Sequence, residues 1–129
     1  MPTETLYAAR NIDFAPTINV DYQGAELPLS GASVSMQVRQ YPGAAGDPEA
    51  EDPDVAFTDA PHPDDPAWRR LVLEPRISRA ALEAMPGQNQ PDPGSPQTFV
   101  YEIKITYADM QQDSPLSGDF ILAAGVDDT

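Results

Sequence analysis

The single histidine of the 129-residue chain, His62, stands in "APHPDDP", between two prolines and ahead of Asp64 and Asp65. An imidazole acts as a general base only beside a positioned nucleophile or substrate, and as a metal ligand only with further ligands around it. A lone histidine in a proline-rich loop is expected to be simply exposed. Ser30 and Ser117 each lie in an "LSG" triplet, and neither sits in the G-x-S-x-G turn that lifts a nucleophilic serine out of a sheet. Carboxylates are the other source of chemistry. The segment "DPEAEDPDVAFTDAPHPDD", from Asp47 to Asp65, carries eight acids and neither lysine nor arginine. Asp47, Glu49, Glu51, Asp52 and Asp54 offer hard oxygen ligands for calcium, but the EF-hand spacing and its central glycine are absent. Pro48 and Pro53 further restrict how those carboxylates converge, so a solvated acidic surface loop is expected. No glycine pattern for cradling phosphates is present. The absence of cysteine excludes thiol catalysis, disulfides and thiolate zinc sites. The reading expects no catalytic residue, no cofactor and no metal site.

Charge narrows the partners. Lys104 and six arginines face 21 acids, giving a net charge of −14, which repels a phosphate backbone or an anionic membrane surface. Neither nucleic acid nor membrane is an expected partner. The densest basic spot is Arg69-Arg70, beside the sole tryptophan, Trp68. These three are the candidates for contact with another protein, although Arg70 and Glu74 would share a strand face and could pair internally. An aromatic platform for glycans would have to come from Trp68 with Tyr41 or Tyr107. No apolar run approaches the roughly 20 residues needed to cross a bilayer, and "MPTETLYAAR" lacks the basic start and apolar core of a signal peptide.

The elements that must position these residues are strands. Fifteen prolines in 129 residues disfavour long helices. "PTINVDYQG" alternates Ile18, Val20 and Tyr22 with Asn19 and Asp21, the period of a half-buried strand. "ASVSMQVR" places Ala32, Val34, Met36 and Val38 on one face. "FVYEIKITY" places Phe99, Tyr101, Ile103, Ile105 and Tyr107 inward and reads as a central strand, because a one-residue slip would turn all five outward. Weaker strands are expected around Ala56, around Val72 with Leu71 and Leu73 inward, and at "GDFILAAGV" with Phe120 and Leu122 inward. A short strand at "TLYAAR" is an option. "SRAALEAMPG" has a capping serine, Ser78, an apolar face of Ala81, Leu82 and Met85, and a Pro86-Gly87 stop, so it predicts a two-turn helix over an edge or end of the sheets. "QNQPDPGSPQ", residues 88–97, predicts a second surface loop. Gly31, Gly87 and Gly118 are expected at turns; Gly31 would let Leu29 tuck in and set Ala32 in register. The sum is an all-β chain: one antiparallel, immunoglobulin-like sandwich of about seven strands, with one short helix and two long proline-rich loops. It is expected as a single domain over residues 1–129, with a core from about 15 to 126 and residues 1–10 and 127–129 as extended arms.

The order of these pieces resembles the small immunoglobulin-like β-sandwich domains of tailed-phage structural proteins, such as the N-terminal domains of baseplate and tail-fibre-type proteins. The matching residues are Pro28, Leu29, Ser30, Gly31, Ala32, Met36, Val38 and Arg39, followed by "ISRAALEAMPG", "FVYEIKITYADM" and "PLSGDFILAAGV". The expansion at "QNQPDPGSPQ" and the acidic segment depart from that pattern. The resemblance implies a non-enzymatic part of a tailed-phage or prophage-derived particle (tail, baseplate or neck). Such a part is assembled in the host cytoplasm, acts by contact with other virion proteins as a homo- or hetero-oligomer, and has no shared catalytic residues. A carbohydrate- or surface-binding sandwich and a capsid decoration protein are the alternative expectations.

Overall fold

A computed structural model describes residues 3–129. Eight strands and one helix follow in the order β1 (Leu6–Ala9), β2 (Ile18–Gln23), β3 (Ser33–Arg39), β4 (Ala50–Asp52), β5 (Ala56–Pro61), β6 (Trp68–Glu74), α1 (Arg79–Ala84), β7 (Gln97–Thr106) and β8 (Gln112–Ala123). They form a five-stranded sheet, β1-β8-β7-β3-β4, and a three-stranded sheet, β2-β6-β5. Three connections are hairpins within a sheet; the others pass from one sheet to the other, the pattern of an immunoglobulin-like β-sandwich. All pairs are antiparallel except one: β1 runs parallel to β8, with Leu6 opposite Phe120 and Ala9 opposite Ala123.

The alternation read from the sequence builds the core. Val34, Met36 and Val38 from β3, Phe99, Tyr101, Ile103 and Ile105 from β7, and Phe120 and Leu122 from β8 line the inner face of the larger sheet and meet Leu71 and Leu73 from β6, none more than 3% exposed. Strand β7 sits in the middle of the larger sheet. Phe14, outside any strand, packs its ring edge-on to Phe120 at 5.2 Å and pairs its backbone with Ile77, continuing the register of β2 and β6. Helix α1 begins as its sequence predicts, with the Ser78 hydroxyl accepting from the Ala81 N–H, and buries Leu82. Gly31 takes a left-handed φ of 76° as Ala32 N–H closes the turn onto the Leu29 carbonyl at 3.1 Å.

Four details differ from expectation. The acidic segment holds the strand expected around Ala56, as β5, but also the unexpected β4, and each is an outer strand of its sheet. Acids and prolines there suit an edge, which must not recruit further strands. The last strand begins at Gln112, eight residues before the apolar "FILA", because a three-residue turn with Met110 at φ 72° joins it directly to β7. Pro115 lies in the register shift opposite Ile103–Ile105, where its missing N–H leaves no ladder bond unmade. Gly118 is not a turn residue: it lies inside β8 opposite Tyr101, where the Glu4 backbone comes so close that a Cβ would collide with it.

The fourth difference concerns the expected arms. Residues 6–9 are a sheet strand, and the anchoring extends beyond it at both ends. Glu4 N–H donates to the Ser117 carbonyl at 3.0 Å and Arg10 N–H to the Ala123 carbonyl at 2.9 Å. Tyr101 hydroxyl donates to the Glu4 carbonyl at 2.6 Å. At the other terminus, Arg79 donates to the carbonyls of Asp128 and Thr129, and Asn11 donates to that of Asp127 at 2.8 Å. The first segment is held through backbone bonds to β8 and the last through side-chain donors that reach its carbonyls.

Two buried tyrosines give the fold a pH response. Burial raises the Tyr101 phenol above its ordinary range, and burial with the Asp113 carboxylate it donates to pushes Tyr107 up to about 12. Both keep their protons in the folded chain after the unfolded chain has lost them near pH 10. Their stabilisation is complete below that pH and is lost as pH rises through the folded values. Urea midpoints are expected to fall steadily from pH 9.5 to 11.5, and more gently in Tyr107→Phe; an equal slope in that variant would assign the loss to other groups.

Candidate interaction surfaces

Trp68, Arg69 and Arg70 begin β6, so their side chains alternate across the smaller sheet. Arg69 shares the inner row with Tyr22, its cross-strand partner. Its guanidinium lies 3.2 Å from the Asp59 carboxylate and 3.6 Å from Glu26. Tyr22 hydroxyl donates to the same Asp59 oxygen at 2.7 Å. The Asp59 side chain is 5% exposed, so this end of the sandwich closes over a paired charge. Arg70 points outward and pairs with Asp21 directly across the strands, at 2.8 Å, rather than with Glu74 along its own strand. The Arg70 bond holds the Asp21 carboxyl below the usual carboxylate range, with His62 adding to the effect. His62 is not simply exposed: its side chain is 16% accessible and covers the Asp21–Arg70 pair, while its Nδ1 accepts from the Asp64 N–H at 3.0 Å. The basic spot of the sequence is thus neutralised by three acids of the same sheet and its flanking loop. Half-buried Trp68 is the member of the trio with no charge to satisfy.

The remaining chemistry-bearing residues do not converge. Ser30 is an exposed turn residue, and Ser117 lies within β8 of the larger sheet, whereas His62 follows β5 of the smaller one. Among the described residues no three histidine or acidic side chains gather as a metal site requires. The aromatic candidates also stand apart. Tyr107 is only 9% exposed, and Trp68 belongs to the smaller sheet. Tyr41 lines a polar groove of about 820 Å³ on the outer face of the larger sheet, whose floor includes Gln37, Glu102, Lys104 and Asp119. Arg39 shapes that groove by holding the loop after β3 through the Ala44 and Gly46 carbonyls, at 3.0 and 2.8 Å.

The margin of the larger sheet formed by β1 is different in kind. The other three outer strands, β4 (AED), β5 (AFTDAP) and β2 (INVDYQ), each carry at least one acid. Strand β1 (LYAA) carries none. Tyr7 projects from it at 72% exposure, with Ile12 at 60% and Val126 fully exposed nearby, where Asn11 holds the carboxy-terminal segment. These are three of the five large apolar side chains exposed on the described chain.

What fixes this margin is Arg10, which sequence reasoning missed. Its side chain is 2% exposed and is spread over the end of α1. Nη1 donates to the Met85 carbonyl at 2.6 Å and to that of Leu82 at 3.2 Å. Nη2 donates to the Pro86 carbonyl at 3.1 Å and to Gln97 Oε1 at 2.9 Å. A helix end leaves its last carbonyls unpaired and carries partial negative charge, and α1 has no basic residue in its own last turn. Arg10 supplies that cation from 72 residues away. Burial lowers its pKa, but an arginine keeps its proton in a protein.

No family model matches the chain, and no curated protein does. Among solved structures, selenomethionine PcoC, a copper resistance protein from Escherichia coli, aligns over 95% of this chain and 90% of its own, with 14% identity and a TM-score of 0.25. A likeness at that level transfers nothing about copper to this chain.

Proposed function

We propose that this chain is a non-enzymatic structural component of a tailed-phage or prophage-derived particle, in its tail, baseplate or neck, acting by protein–protein assembly and resident in the virion. The observation that carries the reading is the contrast at its margins: an acidic surface with a single uncharged, apolar edge bearing Tyr7, Ile12 and Val126. Monomeric proteins blunt their outer strands with charge, proline or short length, and an apolar strip left on an otherwise charged surface marks a contact site. The sequence resemblance to phage sandwich domains supplies the setting.

Quantitative mass spectrometry of purified particles from the source lysate tests this. The expected result is the chain at a fixed, low and symmetric copy number relative to the major capsid protein. Hundreds of copies would move it to decoration of the head, and absence from intact particles would overturn the virion reading.

A further inference from the structure

We infer that the free edge of β1 is an acceptor for one extended, basic-and-aliphatic strand of a partner protein, which adds to the larger sheet as a sixth strand. The inference deepens the assembly reading above and rests on it. The N–H groups of Glu4 and Arg10 both point at β8. In a regular parallel strand alternate residues turn both backbone groups to the same neighbour, so the even positions between them also face β8. Tyr7, and Thr5 before it, therefore direct N–H and C=O outward. The Ala9 carbonyl faces the same way but is reached by the Ile12 N–H, at 3.5 Å. An open edge of this kind gives affinity through main-chain bonds, and specificity through the side chains it meets at alternate positions.

The occupant's chemistry follows from the flanks. Glu4 lies at one end of the edge. Asp13 and the carboxy-terminal Asp127 and Asp128 lie at the other, where Asn11 and Arg79 hold them. Among the described residues, the two arginines near the strand are already committed: Arg10 to the helix carbonyls, and Arg79 to Glu83 and the terminal carbonyls. A second copy of this chain would bring its own net charge of −14 against those acids, which opposes self-pairing. A strand alternating lysine or arginine with valine-like residues satisfies the backbone, covers Tyr7 and meets the acids.

The test uses the whole chain and two synthetic heptapeptides, one alternating lysine with valine and one with glutamate in place of lysine. Amide NMR is expected to show the lysine peptide shifting and protecting the amides of Thr5, Tyr7 and Ala9, with affinity falling in 0.5 M salt. The glutamate peptide is expected to bind at least tenfold more weakly. Tyr7→Pro removes an outward N–H that no ladder bond uses, and is expected to abolish binding; Tyr7→Lys keeps the backbone and should weaken it by charge alone. Melting temperature checks that both variants fold. Equal binding of both peptides, shifts centred elsewhere, or shifts that grow with protein concentration and no peptide would overturn the inference, the last in favour of self-pairing. Normal incorporation of folded Tyr7→Pro into particles would overturn the edge assignment and leave the virion reading standing. Absence of the parent chain from particles would remove that reading whatever the peptides do.

Discussion

An Arg10→Ala variant is expected to melt roughly 12 °C below the parent chain, equivalent to about 3 kcal/mol for a domain of this size. The substitution does more than delete hydrogen bonds. It leaves the carbonyls of Met85 and Pro86 without their donor, and that of Leu82 with only the Met85 N–H, in a site too enclosed for water to replace the guanidinium freely; each group left unpaired costs about 1–3 kcal/mol. It also opens a void where the aliphatic stem packed, and removes the cation at the negative end of α1, which has no basic residue in its own last turn. Two facts hold the expected loss below the sum of those terms. The buried guanidinium is itself costly to desolvate, and its Nε finds no partner, so part of what is lost is a penalty. Arg10→Met separates the causes: it restores the packing but none of the bonds. A methionine variant as stable as the parent would show that Arg10 acts only as filler. Arg10→Lys is expected to fall between, since one ammonium can serve the helix carbonyls but cannot also span to Gln97.

Arg10 also shows where sequence reasoning stops. Strand β7 was legible because five large side chains alternate without interruption, and burial on one face admits a single register. The Ser78 cap and the Gly31 turn were legible because each is satisfied by residues a few positions away. Arg10 carries no local signal: its partners are 72 to 87 residues on, and an arginine after "LYAA" reads as the polar end of a loose segment. The same holds for the arginine pair on β6. Periodicity put Arg70 and Glu74 on one face, but the register that sets Asp21 opposite Arg70 is a property of the folded sheet.

Charge misled in another way. An acid-rich stretch with prolines has the composition of a loop; its apolar run at Ala56 announces β5, but β4 forms there too, because an outermost strand needs only one buried row and one paired neighbour. Ala50 in β4 and Val55 just before β5 supply buried contacts, at 6% and 1% exposure; Glu51 turns to solvent, while Asp59 is taken up by Arg69 and Tyr22. The same logic makes the uncharged β1 informative. Composition alone could not separate a protected edge from an open one until the pairing was known.

Gly118→Ala is expected to release the first strand. Position 118 has a φ of 153°, and a Cβ built there would overlap the Glu4 carbonyl oxygen and lie 3.0 Å from its carbonyl carbon. The colliding atoms are backbone, held by the Ser117 carbonyl and the Tyr101 hydroxyl, so no rotamer change relieves the overlap. Either the Glu4 segment lifts away or β8 distorts, at a cost of about 2–3 kcal/mol. The first is expected, because β8 is bonded on its other side to β7 along nearly its whole length whereas residues 3–5 have one neighbour. Hydrogen exchange should then rise at the amides of Leu6 and Ala8 while β7 keeps its protection, and a protease should trim the first residues. A double variant with Arg10→Ala decides whether the strand behaves as one unit. Once residues 4–9 have lifted, Arg10 is no longer held over α1, so the second substitution removes less than it does alone and the combined loss is smaller than the sum. Strict additivity would mean that Arg10 stays seated without its strand, and that the helix end and the sheet edge are secured independently.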